Sequence, residues 1–200
     1  MRKLVLVILI ITTVISANAQ KRFELDVTTK LGYYFPINEI GLPKKYFPEN
    51  ALSPAVGVSL GYTFFKSTGV YLGMEYSFLS PKWYDFTGNE LDVTWHSFNV
   101  PFNIQQGIGK NFFLTGGVTF IKQLKGYYTG VTAFETQKIP EYNWQTGVGY
   151  KLKDLRISVQ YYRGFESINK ESQVTDSERF ITKLKHQEVF LKLEYPLWKF

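Results

Sequence analysis

Residues 55–78 read AVGVSLGYTFFKSTGVYLGMEYSF. Val56, Val58, Leu60, Tyr62 and Phe64 alternate with Ala55, Gly57, Ser59, Gly61 and Thr63. After Lys66-Ser67-Thr68-Gly69 the period resumes, with Val70, Leu72, Met74, Tyr76 and Phe78 set against Tyr71, Gly73, Glu75 and Ser77. A period of two is that of a strand, whose successive side chains leave opposite faces. One face of both segments is branched or aromatic, and the other is small or polar. The residues between them suit a tight hairpin turn.

The same pattern extends in both directions. Further segments fall at about 23–33, 92–106, 111–123, 142–152 and 155–162, and a last one runs from about 186. Their apolar faces are carried by Leu25 and Leu31, by Phe98 and Phe102, by Leu114 and Val118, by Trp144 and Val148, by Ile157 and Val159, and by Leu191 and Leu193. Eight segments of this kind match the ~9–11 residues that a tilted strand needs to cross a bilayer. They predict an all-β fold, an eight-stranded antiparallel up-and-down transmembrane β-barrel. A soluble barrel would reverse the faces, with bulky apolar residues inside. Here the second face is Gly, Ser, Thr, Asn and Gln, which suits a narrow filled lumen.

The N-terminus reads as a cleaved signal peptide. Arg2 and Lys3 precede an apolar run from Leu4 to Ile15, and Ala17-Asn18-Ala19 supplies small residues for cleavage before Gln20. The expected organisation is therefore a signal peptide at 1–19 and one barrel domain at 20–200. The apolar run is short for a membrane helix of ~20 residues. The chain has no cysteine, so lipoprotein acylation and disulfides are excluded. The formal charge is +6, and loss of Arg2 and Lys3 with no carboxylate leaves +4. With no basic stripe, that excess argues against nucleic acid and suits contact with phosphates of outer-membrane lipid or lipopolysaccharide. Aromatics make up 18% of the chain and recur at strand ends, where a barrel places its interfacial girdles.

Connection lengths predict orientation. Residues 66–69, 107–110 and 153–154 are short, with Gly or Asp available for positive φ; 36–53, 79–91, 124–140 and 164–185 are long. Outer-membrane barrels pair short periplasmic turns with long external loops, so both termini are expected in the periplasm. Pro101 lies in mid-strand, where a missing amide hydrogen predicts a local bulge. Phe200 is out of step with Val189, Leu191, Leu193 and Tyr195, so either Pro196 resets the register or Tyr195 serves as the terminal aromatic.

The run Ser97-Phe98-Asn99-Val100-Pro101-Phe102-Asn103-Ile104, a turn, then Phe112-Phe113-Leu114-Thr115-Gly116-Gly117-Val118 resembles a strand pair of the PorT-like outer-membrane β-barrel proteins. The cleavage region is similar to signal peptides of the Bacteroidetes, where that family is abundant. The resemblance implies an outer-membrane barrel. Family members include a component linked to gliding and type IX secretion, and most are unassigned barrels.

Catalytic chemistry is sparse. The two histidines are His96 and His186, and no ligand spacing around them suggests a metal. His96-Ser97 invites comparison with outer-membrane lipid A deacylases, yet adjacent strand residues face opposite ways. No catalytic residue, metal or cofactor is expected. Glu75, Arg156, Lys192, Glu194, Asp26 and Lys30 share the polar face, where an isolated charge is costly. Two readings follow, a salt-bridged plug or a gated narrow pore, and Glu75 is expected to pair with Arg156 or Lys192. Loop aromatics Tyr46, Phe47, Trp83, Tyr84, Tyr127 and Tyr128 suit interfacial anchoring or recognition. Residues 166–179 are hydrophilic enough to be a mobile loop. The functional expectation is a non-enzymatic barrel with a structural, adhesive or envelope-assembly and secretion-associated role. Its partners are the barrel-assembly machinery during insertion and an envelope protein. The alternatives are an outer-leaflet lipid-modifying enzyme and a narrow solute channel.

Overall fold

The computed structural model describes residues 23–38, 49–65, 67–84, 90–128, 131–134, 141–165, 168–175 and 178–200. Within these, side chains are not described at 38, 65, 83–84, 91–93, 125–128, 131–134, 168–175 and 178–184. The signal peptide expected at 1–19, and Tyr46 and Phe47, lie outside the described residues. So do the side chains of Trp83, Tyr84, Tyr127 and Tyr128.

Among the described residues thirteen strands follow in order: β1 (Phe23–Tyr34), β2 (Ile37–Asn38), β3 (Ala51–Phe65), β4 (Thr68–Leu79), β5 (Lys82–Tyr84), β6 (Glu90–Ile108) and β7 (Phe112–Tyr128). They continue with β8 (Val131–Phe134), β9 (Glu141–Leu152), β10 (Leu155–Gly164), β11 (Ile168–Thr175), β12 (Glu178–Lys185) and β13 (Gln187–Lys199). Eight of them close a ring, β1-β3-β4-β6-β7-β9-β10-β13 and back to β1, with every pairing antiparallel. Closure leaves no strand edge in the wall, so backbone polar groups find partners without water. The expected eight-stranded barrel is present.

The wall is apolar outside and polar inside. Leu31, Leu72 and Val159 are 53%, 54% and 51% exposed. Their chain neighbours Lys30, Tyr71 and Ser158 are buried. An outer surface of this kind suits lipid, because a soluble monomer rarely exposes apolar patches of more than a few hundred Å².

Three tight turns, between β3 and β4, β6 and β7, and β9 and β10, lie at one end with Phe23 and Phe200. Positive φ occurs at Gly109 and, in the last turn, at Lys153 and not at Asp154. At the other end the long connections are partly strand. β5 pairs with β6 and β8 with β7, while β11 and β12 form a hairpin that joins β2. The segment read as a mobile hydrophilic loop thus contains a hydrogen-bonded hairpin. Composition signalled polarity, but cross-strand pairing set the backbone.

Two register expectations resolve differently. Pro101 causes no bulge: the β4–β6 ladder keeps its phase from Leu72–Phe102 to Glu75–Asn99, and Pro101 stays opposite Thr119 on β7. Gly73 makes the room, since a Cβ there would lie 2.9 Å from Pro101 Cγ. The nearby register shift is at His96/Ser97, where Leu124 is the extra residue of β7. At the C-terminal end, Asp26 pairs with Pro196 but Leu25 with Trp198, so Leu197 is an extra residue. That bulge resets the phase. Phe200 then exchanges backbone hydrogen bonds with Phe23 and stacks on its ring at 5.9 Å, on the outer face.

Candidate functional site

Parity turns the long polar side chains inward, and register decides which of them meet. Arg156 on β10 stands directly across from Glu194 on β13, and β1 beyond it contributes Glu24 and Asp26. The guanidinium reaches all three carboxylates: Glu24 through Nη1, Asp26 through Nη2 at 2.5 Å, and Glu194 through Nε at 3.6 Å. It also lies 4.6 Å from the centre of the Tyr71 ring, and the Tyr71 hydroxyl donates to Glu24 at 2.8 Å.

Lys192, the next inward residue along β13, bridges Glu75 at 3.1 Å and Glu194 at 3.4 Å. Of the two expected partners for Glu75, the structure brings Lys192 and leaves Arg156 to the other acids. Glu75 lies across Gly57 on β3, where a Cβ would come within 2.8 Å of its Cγ. Gln105 Nε2 donates to Glu194 at 3.1 Å. β6 and β13 are four strands apart in either direction around the ring, so this hydrogen bond spans the full diameter. Above it, Thr119 donates to Gln145, and Gln145 donates to Asn103.

Lys30 does not join this network. It is the direct cross-strand neighbour of Lys192, and the two ammoniums diverge. Lys30 turns toward the loop end, 3.2 Å from Glu188, with the Phe190 and Tyr162 rings at 4.5 and 5.2 Å. Beside it, His186 Nε2 pairs with the Tyr162 hydroxyl at 2.9 Å and Nδ1 faces Glu141 at 3.4 Å. Tyr34 meets the imidazole edge-on at 4.6 Å. Parity predicted six inward charges but not how they group, because grouping depends on register and reach. Glu24 and Glu188 were not singled out, although each shares the parity of charges that were: Asp26 and Lys30 for the first, Lys192 and Glu194 for the second.

Among the described residues, the space between the inward side chains of the wall is small. A cavity of about 20 Å³ near Lys30, Ser97, Asn99, His186 and Glu188 has room for about one water molecule. At the turn end a vestibule of about 230 Å³ opens beside Lys110, Lys151 and Gln105, floored by Arg156, Glu24 and Tyr71. His96 and Ser97 face opposite sides of the wall. His96 Nδ1 pairs with the Tyr76 hydroxyl at 2.6 Å, and Ser97 pairs with Ser77 at 2.9 Å. Among the described residues no group of three His, Asp or Glu is placed to hold a metal.

A closed wall around a polar, ion-paired interior defines a transmembrane β-barrel of the outer-membrane type. Neither a protein-family model nor a curated protein sequence matches the chain. Among solved structures it is similar to neisserial surface protein A, with a TM-score of 0.57 and 12% identity over 86% of this chain and 96% of that one. It is also similar to Ail, the attachment invasion locus protein of Yersinia pestis, solved with the heparin analogue sucrose octasulfate. There the TM-score is 0.52 and the identity 13%, over 88% of this chain and 99% of that one. At these identities the likeness is one of fold: a closed, antiparallel, eight-stranded outer-membrane β-barrel.

Proposed function

We propose that the protein is a non-enzymatic β-barrel of the bacterial outer membrane with both termini in the periplasm. Its role is structural, adhesive or in envelope assembly or secretion, and its external loops or periplasmic turns bind a partner. The observation that carries this reading is the filled lumen. Gln105–Glu194 and Lys192–Glu75 cross it, and the cavity above them holds about one water. Transport and lumenal catalysis both need space that these side chains occupy, which leaves the two ends and the outer wall as working surfaces. The filled lumen also opposes the channel reading, and the opposed directions of His96 and Ser97 oppose the lipid-modifying enzyme. A relation to PorT-like barrels rests on the 97–118 strand pair. Membrane lipid and the barrel-assembly machinery are the partners that insertion requires.

Purified protein in planar bilayers is expected to show no discrete conductance, and incubation with lipopolysaccharide to release no fatty acid. Unitary current steps would revive the channel, and fatty-acid release the enzyme. Cysteines at Ser67 or Asp154 are expected to react with an impermeant thiol reagent after outer-membrane permeabilisation alone. Labelling in intact cells would reverse the orientation.

A further inference from the structure

Where all eight barrel strands run side by side, the described outer wall is almost free of charge. Among residues whose side chains are described, outward parity presents three titratable nitrogen groups there, His96 on β6, Lys122 on β7 and Arg163 on β10; Lys125, the ladder partner of His96, shares that parity. Lys122 and Arg163 form no ion pair among the described residues.

The three lie at one height. From Phe102 the ladder leads through Val118, Trp144 and Arg163 to Gln187. In the other direction it leads through Leu72, Leu60 and Leu25 to Trp198. Residues 187 and 198 are eleven apart, and one of the intervening residues is the bulged Leu197, so the stagger is ten residues. For eight strands that stagger sets a tilt of about 40°. At this tilt His96, Lys122, Tyr142 and Arg163 fall within about 5 Å of one another along the barrel axis. β7, which carries Lys122, and β10, which carries Arg163, are two strand spacings apart, about 10 Å. At the same height Phe78, Leu52 and Tyr33 on β4, β3 and β1 are apolar or aromatic. The cations are therefore gathered on one side of the wall and do not form a ring.

Aromatic rings complete the patch. Tyr142 is 58% exposed between Lys122 and Arg163, and Trp144 packs against Tyr161 at 5.4 Å. Tyr76 holds the His96 ring through Nδ1. Amphipathic rings beside long cationic side chains suit the boundary between acyl chains and headgroups. General anchoring would place such residues all round the barrel.

We propose that this face of β6–β10 binds a phosphorylated glycolipid of the outer leaflet, with Lys122 and Arg163 each taking one phosphate and Tyr142 lying against the sugar between them. The assignment rests on the reading that the loop end faces outward. A separation of about 10 Å between the Lys122 and Arg163 strands favours a headgroup carrying two separated phosphates over a phospholipid carrying one.

The test uses the full mature chain in phosphatidylcholine nanodiscs doped with bisphosphorylated lipid A, dephosphorylated lipid A or phosphatidylglycerol. Lipid retained after detergent extraction is quantified by mass spectrometry. Wild type is expected to retain bisphosphorylated lipid A selectively, and Lys122→Gln with Arg163→Gln to lower retention about tenfold. Lys110→Gln with Lys153→Gln, at the turn end, should change it less than twofold. Heat-modifiable mobility in gels checks that each variant is folded. Equal retention of the three lipids, or unchanged retention in the Lys122/Arg163 variant, overturns the proposal. Both disc leaflets carry the same lipid, so this result is independent of orientation, which the cysteine labelling decides separately.

Discussion

The two halves of the lumen use the same residue types in opposite ways. Toward the turns, two cations are shared among four carboxylates: Arg156 holds Glu24, Asp26 and Glu194, and Lys192 holds Glu194 and Glu75. Toward the loops, the contacts are single, an ion pair of Lys30 with Glu188 and a polar contact of His186 with Glu141, and aromatic rings pack around them. A shared network spreads each charge over several partners, so its cations matter more than any one acid. In an isolated pair the two members matter alike. A buried pair is not by itself stabilising relative to apolar packing, but removing one member strands the other.

The largest expected effect follows from that asymmetry. Arg156→Met strands Glu24 and Asp26, while Glu194 keeps Lys192, and should destabilise the barrel by about 5 kcal/mol, the upper end for a broken buried pair. Lys30→Met strands only Glu188 and should cost about 3 kcal/mol. Urea titrations of folding into lipid vesicles measure both, and equal losses would erase the distinction between the halves. A yardstick lies on the opposite face. Val58→Arg should cost about 2–4 kcal/mol near the bilayer midplane, whereas polar replacement of the inward Ser59 should be tolerated far better.

A double-mutant cycle sharpens the comparison further. Glu75→Gln leaves Lys192 with Glu194 still in reach, so its loss should be smaller, about 2 kcal/mol. Adding Lys192→Met should recover part of that loss, while adding Arg156→Met should be additive because Arg156 does not touch Glu75. Additivity in both doubles would mean independently solvated charges and a wetter lumen. The smallest effect lies outside both halves. In the β9–β10 turn, Lys199 hydrogen-bonds and attracts the exposed Asp154 carboxylate and holds it below the usual carboxylate range. Its contribution is therefore present above the ordinary aspartate value of about 3.9 and is lost as pH falls through the depressed one. Asp154→Asn should remove that pH dependence and leave stability at lower pH unchanged.

How much of this was legible beforehand depends on which physical quantity carries each feature. Alternation alone assigns faces, so Glu75, Arg156, Lys192, Glu194, Asp26 and Lys30 were readable as inward residues. Partner choice needs the register, which comes from how eight strands close on one another. Lys30 and Lys192 share parity and face each other, yet repulsion and reach send them to different acids. Pro101 read as a bulge because the rule for a missing donor says nothing of Gly73 opposite, whose absent side chain accommodates the ring. Glu75 over Gly57, and Phe113 over Gly149, show the same device. An inward glycine is a sequence signal for a long inward side chain on the next strand, once the pairing is known.

β13 supplies Glu188 to Lys30, Lys192 to Glu75 and Glu194 to Arg156, and it is also the strand that meets β1. Sealing the cylinder and neutralising its interior are thus a single event in assembly. Until the last strand docks, Lys30, Glu75 and Arg156 lack partners that arrive from it, and an unsealed intermediate carries that electrostatic penalty. The final step is consequently steep and hard to reverse.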